Sequence, residues 1–383
     1  MADKNIERRR GPRFARKTDH PHLTQKQIMD FNLLTEKISK QLKDNLPFVV
    51  YSSPIEEKVS ALLQKDQKLF TIKEMTQKGF VLAPFKYDGN ALFIPENVSE
   101  KIESKIISTD IKPVNSPIAI DASEEKEYLG KVAKTIEKIK MRKAYKIVLS
   151  RFKEFHLNDF SVELLLTRLF TIDPTAFRYI WYHPQTGLWC GATPETLVQV
   201  EKNSFKTMAL AGTQSFTGNT SVAWGPKELD EQQLVTDAIT NSLQRVTSVL
   251  KVSNPHTHRA GSLLHLRTDI AGILKNGKAT LTTIAAALHP TPAVCGTPQK
   301  FAKEFIYENE GYDREFYTGF LGPIQENGAT ASLMVNLRCM KIENNTARIF
   351  VGGGITIGSQ PSDEWQETQN KMQTMLQVLR PML

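Results

Sequence analysis

Carboxylates at helical spacing are the first residues in this chain with chemistry to offer. In "KELDEQQLVTD", Glu228 and Glu231 fall three residues apart, which puts both on one helix face. "SDEWQETQNK" repeats the arrangement with Glu364 and Glu367, and Lys371 follows four residues later on the same face. Two helices that each offer such a pair can converge on one cation, and an all-oxygen set favours Mg2+ over zinc or copper. Pairs of this kind also decorate ordinary solvated helices. Cations embedded in apolar runs come next. Lys146 opens "KIVLSR" and Arg338 lies within "NLRCM". A guanidinium can clamp a carboxylate at two points. Together with the glutamates, these cations would make a site for an anionic substrate and a metal.

Glycines mark where backbone could meet such a ligand. "FVGGGITIGS" places Gly352, Gly353 and Gly354 inside an apolar strand pattern, where glycine signals a bulge or a close approach. "ALAGT" offers a second turn of this kind, with Thr213 able to hydrogen-bond. Neither run has the spacing of a nucleotide-binding loop. "LHPTPAVCGTP" is a proline-stiffened loop whose Cys295 reads as a buried, inert thiol. His265, in "SLLHLRTDI", has the setting of an ordinary core histidine as much as that of a catalyst.

These residues need a scaffold, and the chain is long enough to build one. Its 383 residues, 40% hydrophobic and 23% charged, read as a globular protein. No apolar run approaches the roughly 18 residues of a membrane span. Three scattered cysteines exclude a disulfide framework or a zinc site, and a reducing cytoplasm is the expected compartment. The net charge of +8 owes much to an N-terminal tail, "MADKNIERRRGPRFARK". That tail could touch nucleic acid, but its composition reads as a flexible, solvated segment over residues 1–25, so nucleic acid is not the expected partner. Residues 26–383 are expected to form a single domain, acting as a monomer.

The spacing predicts a helix over Gln25–Lys43, a second from Asp121 with Asp121 or Ser123 as its cap, and a third from Lys227 to Leu250. "TASLMVNLRCMKI" reads as one strand, and a last helix closes the chain. Hairpin-like strand pairs with interspersed helices predict an α+β fold built on a large, mainly antiparallel sheet system. Residues up to about Val114 carry no site signal.

The motifs "KIVLSR", "GATPETLV", "ALAGT", "DEQQLVTD", "LHPTPAVCGTP", "YTGFLGPI", "NLRC", "VGGGITIGS" and "SDEWQETQNK" occur in the order seen in chorismate-utilising enzymes. The chain resembles that family from about Asp121 to Leu383, and most resembles the isochorismate synthases. The resemblance implies a single domain, like that of anthranilate synthase component I. Two layered antiparallel sheets would surround a deep cleft, flanked by helices, with chorismate bound through Mg2+. It implies that Glu231 and Glu367 ligate the metal, with Glu364 and Glu228 associated directly or through water. The ring carboxylate of chorismate would lie at the metal, near the amides of Gly352, Gly353 and Gly354. Arg338 and Tyr317 would grip the enolpyruvyl carboxylate, and Lys371 would add positive charge at the metal end. Gly212 and Thr213 would line the ring, with His265 close by.

Within the family, Lys146 and Glu195 are the discriminating pair. A lysine in this strand is the base for water in isochorismate and salicylate synthases, and the glutamate of the "PE" motif is the acid. Anthranilate synthases typically carry glutamine at the lysine position, and aminodeoxychorismate synthases a lysine where this chain has Ala211. The resemblance therefore implies water as nucleophile, in a hydroxymutase that makes isochorismate for menaquinone or a catecholate siderophore. A salicylate synthase, which goes on to eliminate pyruvate, is the alternative. A synthase component I for anthranilate or aminodeoxychorismate is less favoured. A base at Lys146 needs a loosely held proton, which partial burial and nearby cations would give. An acid at Glu195 needs an apolar surround that keeps it protonated. Two positions depart from the pattern: Gln232 stands where histidine is common, and Phe350 where tyrosine is common.

Overall fold

In the computed structural model, residues 29–106, 118, 121–260, 263–276, 279–325 and 328–383 are described. The basic tail lies outside them. Apolar alternation in short strands produces two large sheets, antiparallel throughout. The nine-stranded sheet runs Gly296–Thr297, Lys146–His156, Thr346–Ile355, Cys339–Glu343, Gly187–Thr193, Phe177–His183, Phe48–Ser52, Lys58–Gln64, Ser99–Lys105. The ten-stranded sheet runs Thr247–Val252, Leu263–Leu274, Ser204–Ser215, Thr196–Glu201, Thr330–Val335, Phe320–Gln325, Gly79–Ala83, Ala91–Pro95, Phe70–Ile72, with His256–Ala260 also paired to Leu263–Leu274. The N-terminal third thus supplies strands to both sheets.

A layer of large side chains, among them Phe80, Tyr179, Trp181, Trp189 and Phe350, is buried between the sheets. Helices Phe31–Lys43, Val162–Thr171 and Pro361–Leu379 cover the outer face of the first sheet. Helices Pro226–Leu243 and Leu281–Leu288 cover the second. Helix Pro361–Leu379 buries Trp365, Thr368, Met372, Met375 and Leu379, a stripe at the three-to-four spacing that an apolar face requires.

The chain changes sheets twice beside the cleft. After Gly187–Thr193 it passes through Pro194 and Glu195 into Thr196–Glu201 of the other sheet, and after Thr330–Val335 it returns through Asn336–Arg338 to Cys339–Glu343. The crossings are pinned together: Val335 N donates to Glu195 O at 2.9 Å and Ala192 N to Arg338 O at 3.0 Å. The single strand expected over "TASLMVNLRCMKI" is therefore two strands in different sheets. Arg338 sits at the corner, with φ +47°, and not within a strand.

Three helix boundaries also differ from expectation or sharpen it. The first helix begins at Phe31 because Asp30 caps it, its side chain accepting from Asn32 N. The second takes Asp121 as its cap, which accepts from Ser123 N and Glu124 N. The third ends at Leu243, and Thr247–Val252 is an edge strand. β-Branched Thr247, Val249 and Val252 favour that pleated surface.

Candidate active site

Between the sheets and the two acidic helices lies a cleft of about 370 Å³. Both helices start with proline at the first turn, Pro226 and Pro361, and carry acids just inside. Proline is suited to that position, and negative charge near a helix N-terminus is favoured. Glu228 and Glu231 from one helix, and Glu364, Glu367 and Lys371 from the other, line the cleft. Lys146, Glu195, Gly212, His265, Tyr317, Arg338 and Gly352–Gly354 line it too. Thr213 is described for its backbone alone. Among the described residues, none before Lys146 reaches the cleft.

The three glycines hold the site open. They lie in strand Thr346–Ile355 opposite Ser150, Leu149 and Val148 of the Lys146 strand. A Cβ on Gly354 would stand 2.6 Å from Lys146 Cε. One on Gly353 would stand 2.8 Å from Glu364 Oε2, and one on Gly352 would stand 3.0 Å from the Tyr317 hydroxyl. Each missing side chain is the space that a functional side chain fills.

The two lysines are engaged with carboxylates or carbonyls. Lys146 Nζ lies 3.2 Å from Glu231 Oε1, so its direct partner is a carboxylate, where neighbouring cations were expected. Lys371 Nζ lies 2.5 Å from Glu367 Oε1 and donates to Gly352 O at 2.8 Å. Burial raises Glu367, but Lys371, Lys146 and Arg338 outweigh it and hold the carboxyl below its usual value. Glu364 behaves oppositely: burial lifts it to about 6, although Ser359 Oγ donates to its Oε1 at 2.6 Å. Burial lifts Glu195 further, to about 7, against the pull of Lys146 and Lys371. The residue is only partly buried by its exposed surface and lines the cleft, so its side chain keeps some access to water.

At the other end, Tyr317 stacks on Phe350 with ring centroids 5.4 Å apart, and Phe350 stacks on Trp189 at 5.3 Å. Phe350 therefore completes an aromatic column in place of a polar contact. Arg338 Nη1 donates to Thr374 Oγ1 at 3.1 Å. His265 Nδ1 donates to Gly212 O at 3.0 Å, and burial pulls its pKa down, keeping the ring neutral. Gln232 is buried away from the cleft, donating to Ala209 O and Thr268 Oγ1. Cys295 is buried and its thiol pushed up to about 12 by burial, which makes it inert.

Sequence reasoning missed the group that braces this wall. Arg314 is fully buried and paired with Glu310, and it donates to Val148 O at 2.9 Å, Val294 O at 2.9 Å and Thr318 Oγ1 at 3.1 Å. One guanidinium thus ties the Lys146 strand, the proline-rich loop and the Tyr317 segment together. Ser359 and His258 also line the cleft unanticipated. His258 pairs across from His265 in register, a relationship visible only once the hairpin is known.

The donor set fits a hard divalent cation in chemistry. Every candidate is a carboxylate oxygen, and Glu364 Oε2 is buried with no hydrogen-bond partner. The four glutamates do not form a ready cluster, however; among the described residues no three His, Cys, Asp or Glu side chains do. Two of the four, Glu231 and Glu367, are held by lysines, and a cation would have to draw them away.

Comparison with known proteins gives the family and the fold. Residues 90–380 match the family described as "Chorismate binding enzyme". The chain belongs to that family and is an enzyme. It is 31% identical over 344 residues to isochorismate synthase EntC of Escherichia coli (strain K12), covering 85% of this chain and 86% of that protein. With isochorismate synthase DhbC of Bacillus subtilis (strain 168) it is 35% identical over 198 residues, 49% of this chain and 50% of that one. A crystal structure of DhbC from Bacillus anthracis superposes with a TM-score of 0.72 at 27% identity, covering 89% of this chain and 99% of the other. Anthranilate synthase component I from Streptococcus pneumoniae shares the fold, with a TM-score of 0.63 at 19% identity and 81% and 83% of the chains covered. Among the described residues no helix is long and apolar enough to cross a membrane.

Proposed function

We propose that this enzyme is an isochorismate synthase, an isomerase that converts chorismate to isochorismate. One observation carries the reading: a partly buried carboxyl held to about 7, Glu195, shares a cleft with Lys146. An acid that stays protonated near neutrality and a nearby amine are the pair that water addition with loss of hydroxide requires. In the proposed reaction a water oxygen bonds to C2 of the ring while Lys146 takes its proton. The diene electrons shift, the C4–oxygen bond breaks, and Glu195 protonates the departing hydroxyl, so water enters and water leaves. Arg338 and Tyr317 hold the enolpyruvyl carboxylate, and the small residues Ala211 and Gly212, with His265, shape the space for the ring.

Glu231, Glu364, Glu367 and Glu228 are the residues that would hold Mg2+, which when bound would neutralise the ring carboxylate and fix the ring. The product would serve menaquinone or a catecholate siderophore. Product chromatography after incubation with chorismate and Mg2+ tests the reading. Isochorismate without pyruvate, lost on chelation and restored by Mg2+, is the expected result. Salicylate with pyruvate would replace this reading by a salicylate synthase.

A further inference from the structure

Beside Gly353 three side-chain oxygens gather. The three heavy atoms nearest the place a Cβ would take there are Glu364 Oε2 at 2.8 Å, Glu367 Oε1 at 3.8 Å and the Tyr128 hydroxyl at 3.9 Å. Glu364 Oε2 and the Tyr128 hydroxyl are both buried without a hydrogen-bond partner. Each would be costly in isolation. Their shared position suggests a common partner.

Tyr128 comes from neither acidic helix but from Ala122–Lys140, and it is 2% exposed. Its ring packs on Trp365 with centroids 5.9 Å apart, and the Arg151 guanidinium lies 4.0 Å over the other ring of that pair, Trp365. Arg151 also donates to Thr368 Oγ1 at 2.9 Å and Gln369 Oε1 at 3.2 Å. The phenol is therefore locked behind the helix that carries Glu364 and Glu367, with its hydroxyl toward Gly353.

We propose that Tyr128 is a positioning residue for the cation-binding carboxylate of Glu364: its hydroxyl donates to a water lodged beside Gly353, and that water donates to Glu364 Oε2. A buried water needs two to four polar partners, and Glu364 Oε2 and the Tyr128 hydroxyl, both buried and unpartnered, supply two. Ser359 already fixes Glu364 Oε1; the bridge fixes Oε2, so the carboxylate is oriented before a cation arrives. Supports of this kind tune affinity without touching the metal. The inference rests on the cation site proposed above.

The test is Mn2+ binding to the substrate-free protein, read by electron paramagnetic resonance of the free ion, with thermal melting alongside. Tyr128→Phe keeps the ring packing and removes the hydroxyl. Its Mn2+ affinity should fall by roughly tenfold, with no fall in melting temperature. Gly353→Ala, which puts a methyl group in that place, should weaken binding as well. The double variant should bind no worse than the weaker single variant, because both remove one water. Wild-type affinity in Tyr128→Phe, a loss that tracks a lowered melting temperature, additive losses in the double variant, or no Mn2+ binding by the wild-type protein would each overturn the role. Wild-type product analysis stands apart from this readout. Absence of isochorismate with weakened Mn2+ binding in Tyr128→Phe removes the proposed reaction and leaves the positioning role standing.

Discussion

Lys146 and Glu231 meet across the cleft, Nζ to Oε1 at 3.2 Å, one on a strand of the first sheet and the other on a helix packed against the second. The pair is partly exposed, 12% and 23%, so it adds little to stability, about 1 kcal/mol or less. Its value lies in aiming the lysine from a rigid element into the cleft. Lys146→Gln should accordingly reduce water addition by about 10²–10⁴-fold while leaving the melting temperature nearly unchanged. Turnover near the wild-type rate would remove Lys146 from the role of base.

Glu195 gives a pH signature. Its carboxyl is held to about 7, against 4.5 for an ordinary glutamate, so the protonated acid declines as pH rises through neutrality. The rate should fall along a limb centred near pH 7, and Glu195→Gln should lose that limb along with about 10²–10⁴-fold in rate. Stability follows the same proton. The folded value exceeds the unfolded one, so this contribution is complete below pH 4.5 and is lost as pH rises through about 7. At pH 8 Glu195→Gln should be more stable than wild type by about 2 kcal/mol, discounted for the part facing the cleft, and the gap should close at pH 4.5. Urea unfolding at the two pH values reads both signs.

The glycine strand separates packing from placement. On Gly354 a new Cβ meets the flexible end of Lys146, with Cε at 2.6 Å and Nζ at 3.2 Å. On Gly352 it meets the Leu149 backbone oxygen at 2.7 Å, which cannot move without disturbing the sheet. Gly354→Ala should therefore lower turnover with little loss of stability. Gly352→Ala should cost about 1–3 kcal/mol by overpacking. Thermal melts beside initial rates distinguish them, and equal destabilisation by both would refute the assignment.

These positions also show where the sequence was informative. Glu228, Glu231, Glu364 and Glu367 declared themselves because helical spacing is local, and the glycine run declared itself because glycine is anomalous inside a strand. Antiparallel pairing followed from short alternating runs. The sheet crossings did not. "TASLMVNLRCMKI" is continuously apolar enough for one strand, and only packing against Glu195 and Ala192 decides that it breaks at Asn336–Arg338. Arg314 was silent because, beyond its near neighbour Glu310, it donates to backbone carbonyls of Val148 and Val294, 166 and 20 residues away in sequence. Lys146 was visible, but its carboxylate partner lies 85 residues away in sequence and was assigned no contact with it.

Arg338 owes its placement to that crossing. At φ +47° the residue turns the chain from one sheet to the other, and its side chain enters the cleft with Thr374 as a hydrogen-bond acceptor at 3.1 Å. Tyr317 lines the same cleft. A charge-assisted bond from a guanidinium to a carboxylate contributes about 1.5–3 kcal/mol, so Arg338→Ala should raise KM for chorismate by about 10–100-fold. Arg338→Lys keeps the charge but loses the two-point fork, and should recover only part of that loss. Neither change alters the need for positive φ at the corner, so melting temperatures should stay close to wild type. If kcat collapses while KM is unchanged, Arg338 acts on the reacting end of the substrate and not on its enolpyruvyl carboxylate.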